Sequence, residues 1–196
     1  MKTTLAVGLF ASIALHAAAA QTKTITFVVD KSKVRLSAQL TAANLTADGK
    51  ATVVAHGDLF EPPRLVDLQA PWHLDQSTPL AAAENYHRAL LAATDEQIAA
   101  FWAADERAGV LRQLAIPEYK KRVRDIFGSV PQLRVLAVLN FSETAVVFIS
   151  HTKLVLGVNV HKRDGKWYVT NVPSNDVAVA IAEAALAAGT ARASQP

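Results

Sequence analysis

Cysteine is absent from the 196 residues, and the single methionine is the first residue. A chain without cysteine has no disulfide framework, no thiol nucleophile and no lipid-modified cysteine. Charge of one sign is also scarce: 20 lysines and arginines face 17 aspartates and glutamates, a formal net charge of +3. That surplus is no nucleic-acid footprint. No glycine-rich phosphate loop occurs, and neither Ser142 nor any other hydroxyl sits in a nucleophile elbow. Two weak matches to the glycosylation sequon exist, Asn44-Leu45-Thr46 and Asn140-Phe141-Ser142.

Long apolar runs are equally rare. Leu5 to Leu15 is one, and it is too short to span a bilayer. With Lys2 before it and the small residues Ala17 to Ala20 behind it, it reads as the centre of a secretory signal peptide over residues 1–20, cleaved before Gln21. Cleavage removes one lysine, so 20 basic residues become 19 against 17 acidic ones and the charge falls from +3 to +2. The mature chain is therefore expected to be periplasmic or secreted, without a membrane anchor. Its remaining length suits one ordinary domain with its own core.

Residues 21–77 read as a β region. Thr24 to Val29 is β-branched and apolar, and Val34, Leu36, Ala38 and Leu40 alternate with polar residues as a half-buried strand would. A turn is expected at Ala47-Asp48-Gly49. A further strand spans Ala51 to Phe60, and Arg64 to Gln69 adds a short edge strand beyond Pro62 and Pro63.

The spacing then changes from two to about 3.6, the period of an amphipathic helix. Thr78 and Pro79 open a first helix that places Ala82, Tyr86, Ala89 and Ala93 on one side. Thr94 and Gln97 form a capping box for a second, with Ile98, Phe101, Trp102 and Ala108 on one face and Gly109 as its stop. Pro117 opens a third. Its apolar stripe is Tyr119, Val123, Ile126 and Phe127, its other side carries Lys120, Lys121, Arg122 and Arg124, and Gly128 closes it.

Gln132 to Asn171 returns to strand spacing and reads as a four-stranded antiparallel meander. Asp164-Gly165 is a two-residue hairpin turn, which sets Arg163 opposite Lys166, His161 opposite Tyr168 and Asn159 opposite Thr170. A turn at Thr152-Lys153 pairs His151 with Leu154. Counting back sets Val146 opposite Asn159, Thr144 opposite His161 and Val138 opposite Val146.

This register gives an apolar face of Leu133, Val135, Ala137, Leu139, Ala145, Val147, Ile149, Leu156, Val158, Val160, Trp167 and Val169, a bed for the helices. The other face mixes Leu136, Val138, Phe148 and Val155 with a polar row of Asn140, Thr144, His161 and Tyr168. A last helix, Val177 to Ala188, is capped by Ser174 or Asn175 and followed by a disordered tail from Thr190. It is expected to cover part of the mixed face or to meet a second subunit in a homodimer.

Over residues 78–171, helices carrying ALLAATDEQIAAFWAADERAG precede long strands ending in HKRDGKWYVTN, and this segment resembles the NTF2-like (cystatin-like) superfamily. The resemblance implies an α+β fold, three helices packed on a curved antiparallel sheet, with a pocket at the mouth of the resulting cone. Residues 21–77 lie before the resembling segment and 174–196 after it. Isomerase-type members use a carboxylate base with tyrosine or acid donors inside the cone. This chain departs from them, since its helix-facing strand positions offer no carboxylate.

Candidates for chemistry come instead from the helices: Glu84, Tyr86, His87, Asp95 and Asp105. Asp95 is more simply a first-turn residue favoured by the helix dipole, and Glu84 and Asp105 are more simply solvated. His87 beside Tyr86 is the remaining base-and-donor pair. His56 and Asp58 point to one side of a strand but lack a third ligand, and His151 and His161 lie about 23 Å apart at the usual strand rise, so no metal or other cofactor is expected.

Trp102, Tyr119, Phe127, Trp167 and His151 are core by default and pocket-lining if the cone is open. The basic run at Lys120 to Arg124 reads as a solvated face, with no nucleic-acid partner expected. These features point to an exported, non-enzymatic protein holding a small apolar ligand or a partner protein. The alternative is an isomerase or dehydratase acting through His87 and Tyr86.

Overall fold

A computed structural model describes residues 23–152, 154–172 and 176–193, and the expected signal peptide lies outside them. Strands β1 (Lys23–Val29) and β2 (Ala51–Asp67) come first, then helices α1 (Pro79–Ala92), α2 (Asp95–Ala99), α3 (Arg107–Leu114) and α4 (Pro117–Phe127). After them come β3 (Gln132–Phe141), β4 (Thr144–His151), β5 (Leu154–Arg163), β6 (Lys166–Val169), helix α5 (Val177–Ala188) and the short β7 (Arg192–Ala193). The fold is α+β: one antiparallel sheet in the order β6-β5-β4-β3-β2-β1-β7, with helices packed on it.

Local chemistry explains the meander. Asp164 and Gly165 take positive φ, 50° and 75°, as a tight hairpin requires, and they set His161 opposite Tyr168 and Arg163 opposite Lys166. The Thr170 amide donates to the Asn159 carbonyl, and Thr144, Val146 and His151 face His161, Asn159 and Leu154 as expected. The β3–β4 turn is tighter than expected. Ser142 at φ 58° closes a two-residue loop with Phe141 opposite Thr144, so Val138 meets Val147 rather than Val146.

A bulge between Val135 and Ala137 changes the two faces. The extra residue, Leu136, shifts the side-chain alternation by one. Leu133, Val135 and Val138 pack with Val147 and Ile149 under the helices, while Ala137 and Leu139 turn to the opposite side with Val146 and Phe148. The expected apolar face therefore loses Ala137 and Leu139 and gains Val138. Asn140 leaves the polar row for the helix side with Val138, since it pairs with Ala145, and Phe141 takes its place beside Thr144, His161 and Tyr168.

Three other expectations are corrected. Residues 34–40 do not form a strand: the Asp30 carboxylate accepts from the Ser32 amide and starts a series of 3-10 turns, at Lys31–Lys33, Ser37–Gln39 and Ala42–Asn44. Side chains that bond nearby backbone compete with strand pairing. Arg64 to Asp67 is no separate strand but continues β2 past a bulge holding Pro62 and Pro63, where a missing N–H is tolerated. The second helix stops at Ala99 because the Phe101 carbonyl accepts from the Val169 amide and Trp102 bridges Val169, covering the edge of β6. Gly109 consequently lies inside α3 rather than ending a helix.

Helices α1 and α4 begin where their prolines indicate. Thr78 Oγ1 accepts from the Ala81 amide and Pro79 opens α1, and Pro117 opens α4. Helix α5 lies on the other face, burying Val179, Ile181, Ala182 and Ala185 against Phe27, Val146 and Phe148. Its cap is Asp176, whose carboxylate accepts from the Ala178 amide, while Ser174 and Asn175 lie outside the described residues. The start of the tail, expected to be disordered from Thr190, instead pairs Arg192 and Ala193 with Thr26 and Ile25.

Gly57 marks a close approach of β2 to β3. A Cβ there would stand 1.9 Å from the Val138 carbonyl oxygen. Gly57→Ala is expected to remove at least about 2 kcal/mol of stability in urea unfolding, and a loss below about 0.5 kcal/mol would contradict this packing.

Candidate functional site

The helix side of the sheet is filled. Trp102 and Trp167 are buried in a cluster with Phe101, Val160 and Val169, against which Tyr86, Tyr119 and Phe127 pack. Tyr86 meets Trp102 edge-on at 6.0 Å between ring centroids, and Phe127 meets His87 at 4.9 Å and His151 at 6.0 Å. Sequence candidates for a pocket lining thus come together as a packed aromatic layer.

His87 is 3 % exposed, and its Nδ1 lies 2.7 Å from the Ala83 carbonyl. Burial lowers its pKa to about 4, against the weaker pull of that hydrogen bond, and burial with the neighbouring Tyr119 raises the pKa of Tyr86. The void beside His87, bounded by Ala83, Glu84, Leu133 and Val147, is about 10 Å³. That volume holds about one water molecule, far below a substrate.

The carboxylates divide. Glu84 is not solvated, its side chain being only 9 % exposed and bonded to Arg64 at 2.6 Å. Asp95 stands in the first turn of α2 and pairs with Lys120 at 2.7 Å. Asp105 is exposed and takes both oxygens to Arg163 Nη1, at 2.8 and 2.9 Å. Lys121 pairs with Asp125, so part of the basic side of α4 is neutralised within the chain. His56 and Asp58 are exposed on β2, and among the described residues no three His, Cys, Asp or Glu stand close enough to hold a metal.

An open cleft lies on the other face, where β4 and β5 meet the chain entering α5. Its volume is about 270 Å³, with Phe141, Val146 and Val172 as apolar walls. Thr144, Asn159, His161, Thr170 and Asp176 supply polar groups. The register places three of these side by side: Thr144 faces His161, and Asn159 is their neighbour along β5. A second cleft of about 210 Å³ lies near the C-terminal end of α5, between Leu59, Leu136, Leu186 and Arg134.

Behind the first cleft stands Glu106, at the start of α3. Thr170 donates its hydroxyl to Glu106 Oε1 at 2.8 Å, and Glu106 Oε2 lies 3.7 Å from His161 Nε2, too far for a hydrogen bond. Both of these facing atoms are buried without partners among the described residues. Burial, aided by the charge of Arg163, lowers the pKa of His161 against the opposing pull of Glu106 and Asp105. The imidazole is therefore neutral at neutral pH, while Glu106 is met by the Thr170 hydroxyl and lies within the field of Arg163.

The hairpin spacing alone identifies Thr144, Asn159 and His161 as neighbours, but it gives no sign of Glu106. Only a recognised break between α2 and α3 could have brought it out. No protein-family model, curated protein or solved structure matches the chain. No described helix is long and apolar enough to cross a membrane.

The buried neutral His87 generates a pH dependence. The unfolded chain takes up this proton near pH 6.5 and the folded chain only near pH 4, so the contribution is complete above pH 6.5 and is lost as pH falls to about 4. The wild type should lose about 3 kcal/mol more than His87→Asn over that window in urea titrations, and parallel losses in the two proteins would refute the assignment.

Proposed function

We propose that this chain is an exported, non-enzymatic binding protein that holds a small, mainly apolar molecule in the cleft at the start of α5. The observation that carries this reading is the contrast between the two sides of the sheet. Among the described residues the voids on the helix side are about 10 Å³ at His87 and about 20 Å³ between Leu90, Ile98 and Val123, while the α5 side opens a cleft of about 270 Å³ with apolar walls and a few polar groups. Such a lining is typical of small-molecule sites, and the volume suits a ligand at the small end of their range. An isomerase or dehydratase acting through His87 and Tyr86 would need a substrate-sized space, and the void beside His87 is about 10 Å³.

The export assignment rests on the signal-like residues 1–20. For the segment from α1 to β6 we propose an NTF2-like unit, supported by the succession of helices and antiparallel strands, with β1, β2 and α5 as additions. In this reading the ligand occupies the face opposite the family's cone. Closing the cleft provides the test. Asn159→Phe should abolish the fluorescence gain of the neutral probe Prodan while the circular dichroism spectrum is kept, and equal gains in both proteins, or none with the wild type, would contradict the proposal.

A further inference from the structure

Two buried atoms face each other at the wall of the cleft without satisfying one another. Glu106 Oε2, at the start of α3, lies 3.7 Å from Nε2 of the cleft-lining His161, and each atom is sealed from solvent and unpartnered among the described residues. Buried polar atoms without partners cost stability, so the surrounding packing holds this gap open. A proton on the imidazole is small enough to fill it, because it turns Nε2 into a cationic donor that the carboxylate attracts. Closing the pair to the length of a charge-assisted hydrogen bond takes a shift of only about 0.8 Å.

The groups around His161 come from every neighbouring element. Thr144 faces it from β4 and Tyr168 from β6, Arg163 follows it on β5, Asp105 and Glu106 approach from the start of α3, and Thr170 and Asp176 line the same cleft. Arg163 is held by both oxygens of Asp105, and Glu106 is held through Oε1 by the Thr170 hydroxyl at 2.8 Å. Oε2 is thus left to accept from the imidazole. Burial is the largest influence on His161 and lowers its pKa from the ordinary 6.5.

From this geometry we infer that the cleft releases its ligand on acidification: a proton on His161 closes the bond to Glu106, and the charge it leaves in the wall weakens the hold on an apolar molecule. This step rests on the binding role proposed above. The His161 side chain is 12 % exposed, so a ligand in the cleft strips the imidazole of water that an uncharged ring can forgo and an imidazolium cannot. Proton and ligand therefore oppose each other, each lowering the affinity for the other by the same factor. The ligand-bound protein takes up this proton at lower pH than the free protein, so affinity is full above the free protein's His161 pKa and falls as pH drops through it.

Imidazole proton shifts followed by NMR give the His161 midpoint with and without Prodan. Fluorescence titrations with Prodan one pH unit above and one below the free-protein midpoint give the coupling, with circular dichroism checking the fold at both. Prodan should move the midpoint to lower pH and should bind at least about threefold more weakly at the lower pH. His161→Gln should bring its two affinities within about 1.5-fold of each other. Glu106→Gln keeps an acceptor for Thr170 and removes the charge, so the midpoint of His161 and the pH at which affinity falls should move down together. A midpoint that ignores Prodan, or a fall in affinity that survives His161→Gln, overturns the proton coupling and leaves the cleft a binding site. A midpoint unchanged in Glu106→Gln overturns the pairing of His161 with Glu106. If Prodan binds at neither pH, the binding role falls and the coupling falls with it.

Discussion

A sheet with two faces must cover both, and in this molecule one extra residue in β3 decides which side chains each cover receives. Leu136 shifts the alternation so that Leu133, Val135 and Val138 serve the helices, while Ala137 and Leu139 serve α5. Without that shift Ala137 and Leu139 would also lie under the helices, and the α5 side would lose two of its central contacts. The bulge in β2, between Leu59 and Arg64, lies on the partner strand close by. Irregular pairing on neighbouring strands lets a long sheet bend around its two covers.

The covers differ in completeness. On one side four helices and the connection between α2 and α3 bring Tyr86, Phe127, Phe101 and Trp102 into a layer dense enough that His87 is held neutral inside it. On the other a single twelve-residue, alanine-rich helix crosses the sheet, and small side chains permit close contact beneath it but reach no further. The strand ends beyond α5 remain open. That geometry, more than any single side chain, puts the cleft beside Thr144, Asn159 and His161.

Much of this architecture is legible in the amino-acid sequence. Asp164-Gly165 specifies a hairpin and through it the pairing of His161 with Tyr168, and the Thr152-Lys153 spacing adds Thr144, because a two-residue turn leaves no freedom of register. Pro79, Pro117 and the Thr78 and Thr94 caps locate helix starts for equally local reasons. The bulge at Leu136 is not legible, since Leu, Ala and Val suit either face and nothing local forces an insertion. Phe101 and Trp102 have helical spacing, and only the uncovered edge of β6, a non-local need, draws them out of the helix. Glu106 is hidden with them: its role depends on Thr170 and His161, which are remote in sequence.

The decisive measurement is the location of a bound ligand on the protein. Backbone amide shifts followed by NMR during titration with a small amphiphile should move at Thr144, Val146, Asn159, His161 and Thr170 and stay fixed around Trp102, Tyr119, Phe127 and Trp167. Shifts concentrated on those four aromatic positions, with the cleft unmoved, would place the ligand on the helix side and contradict the two-faced arrangement described above.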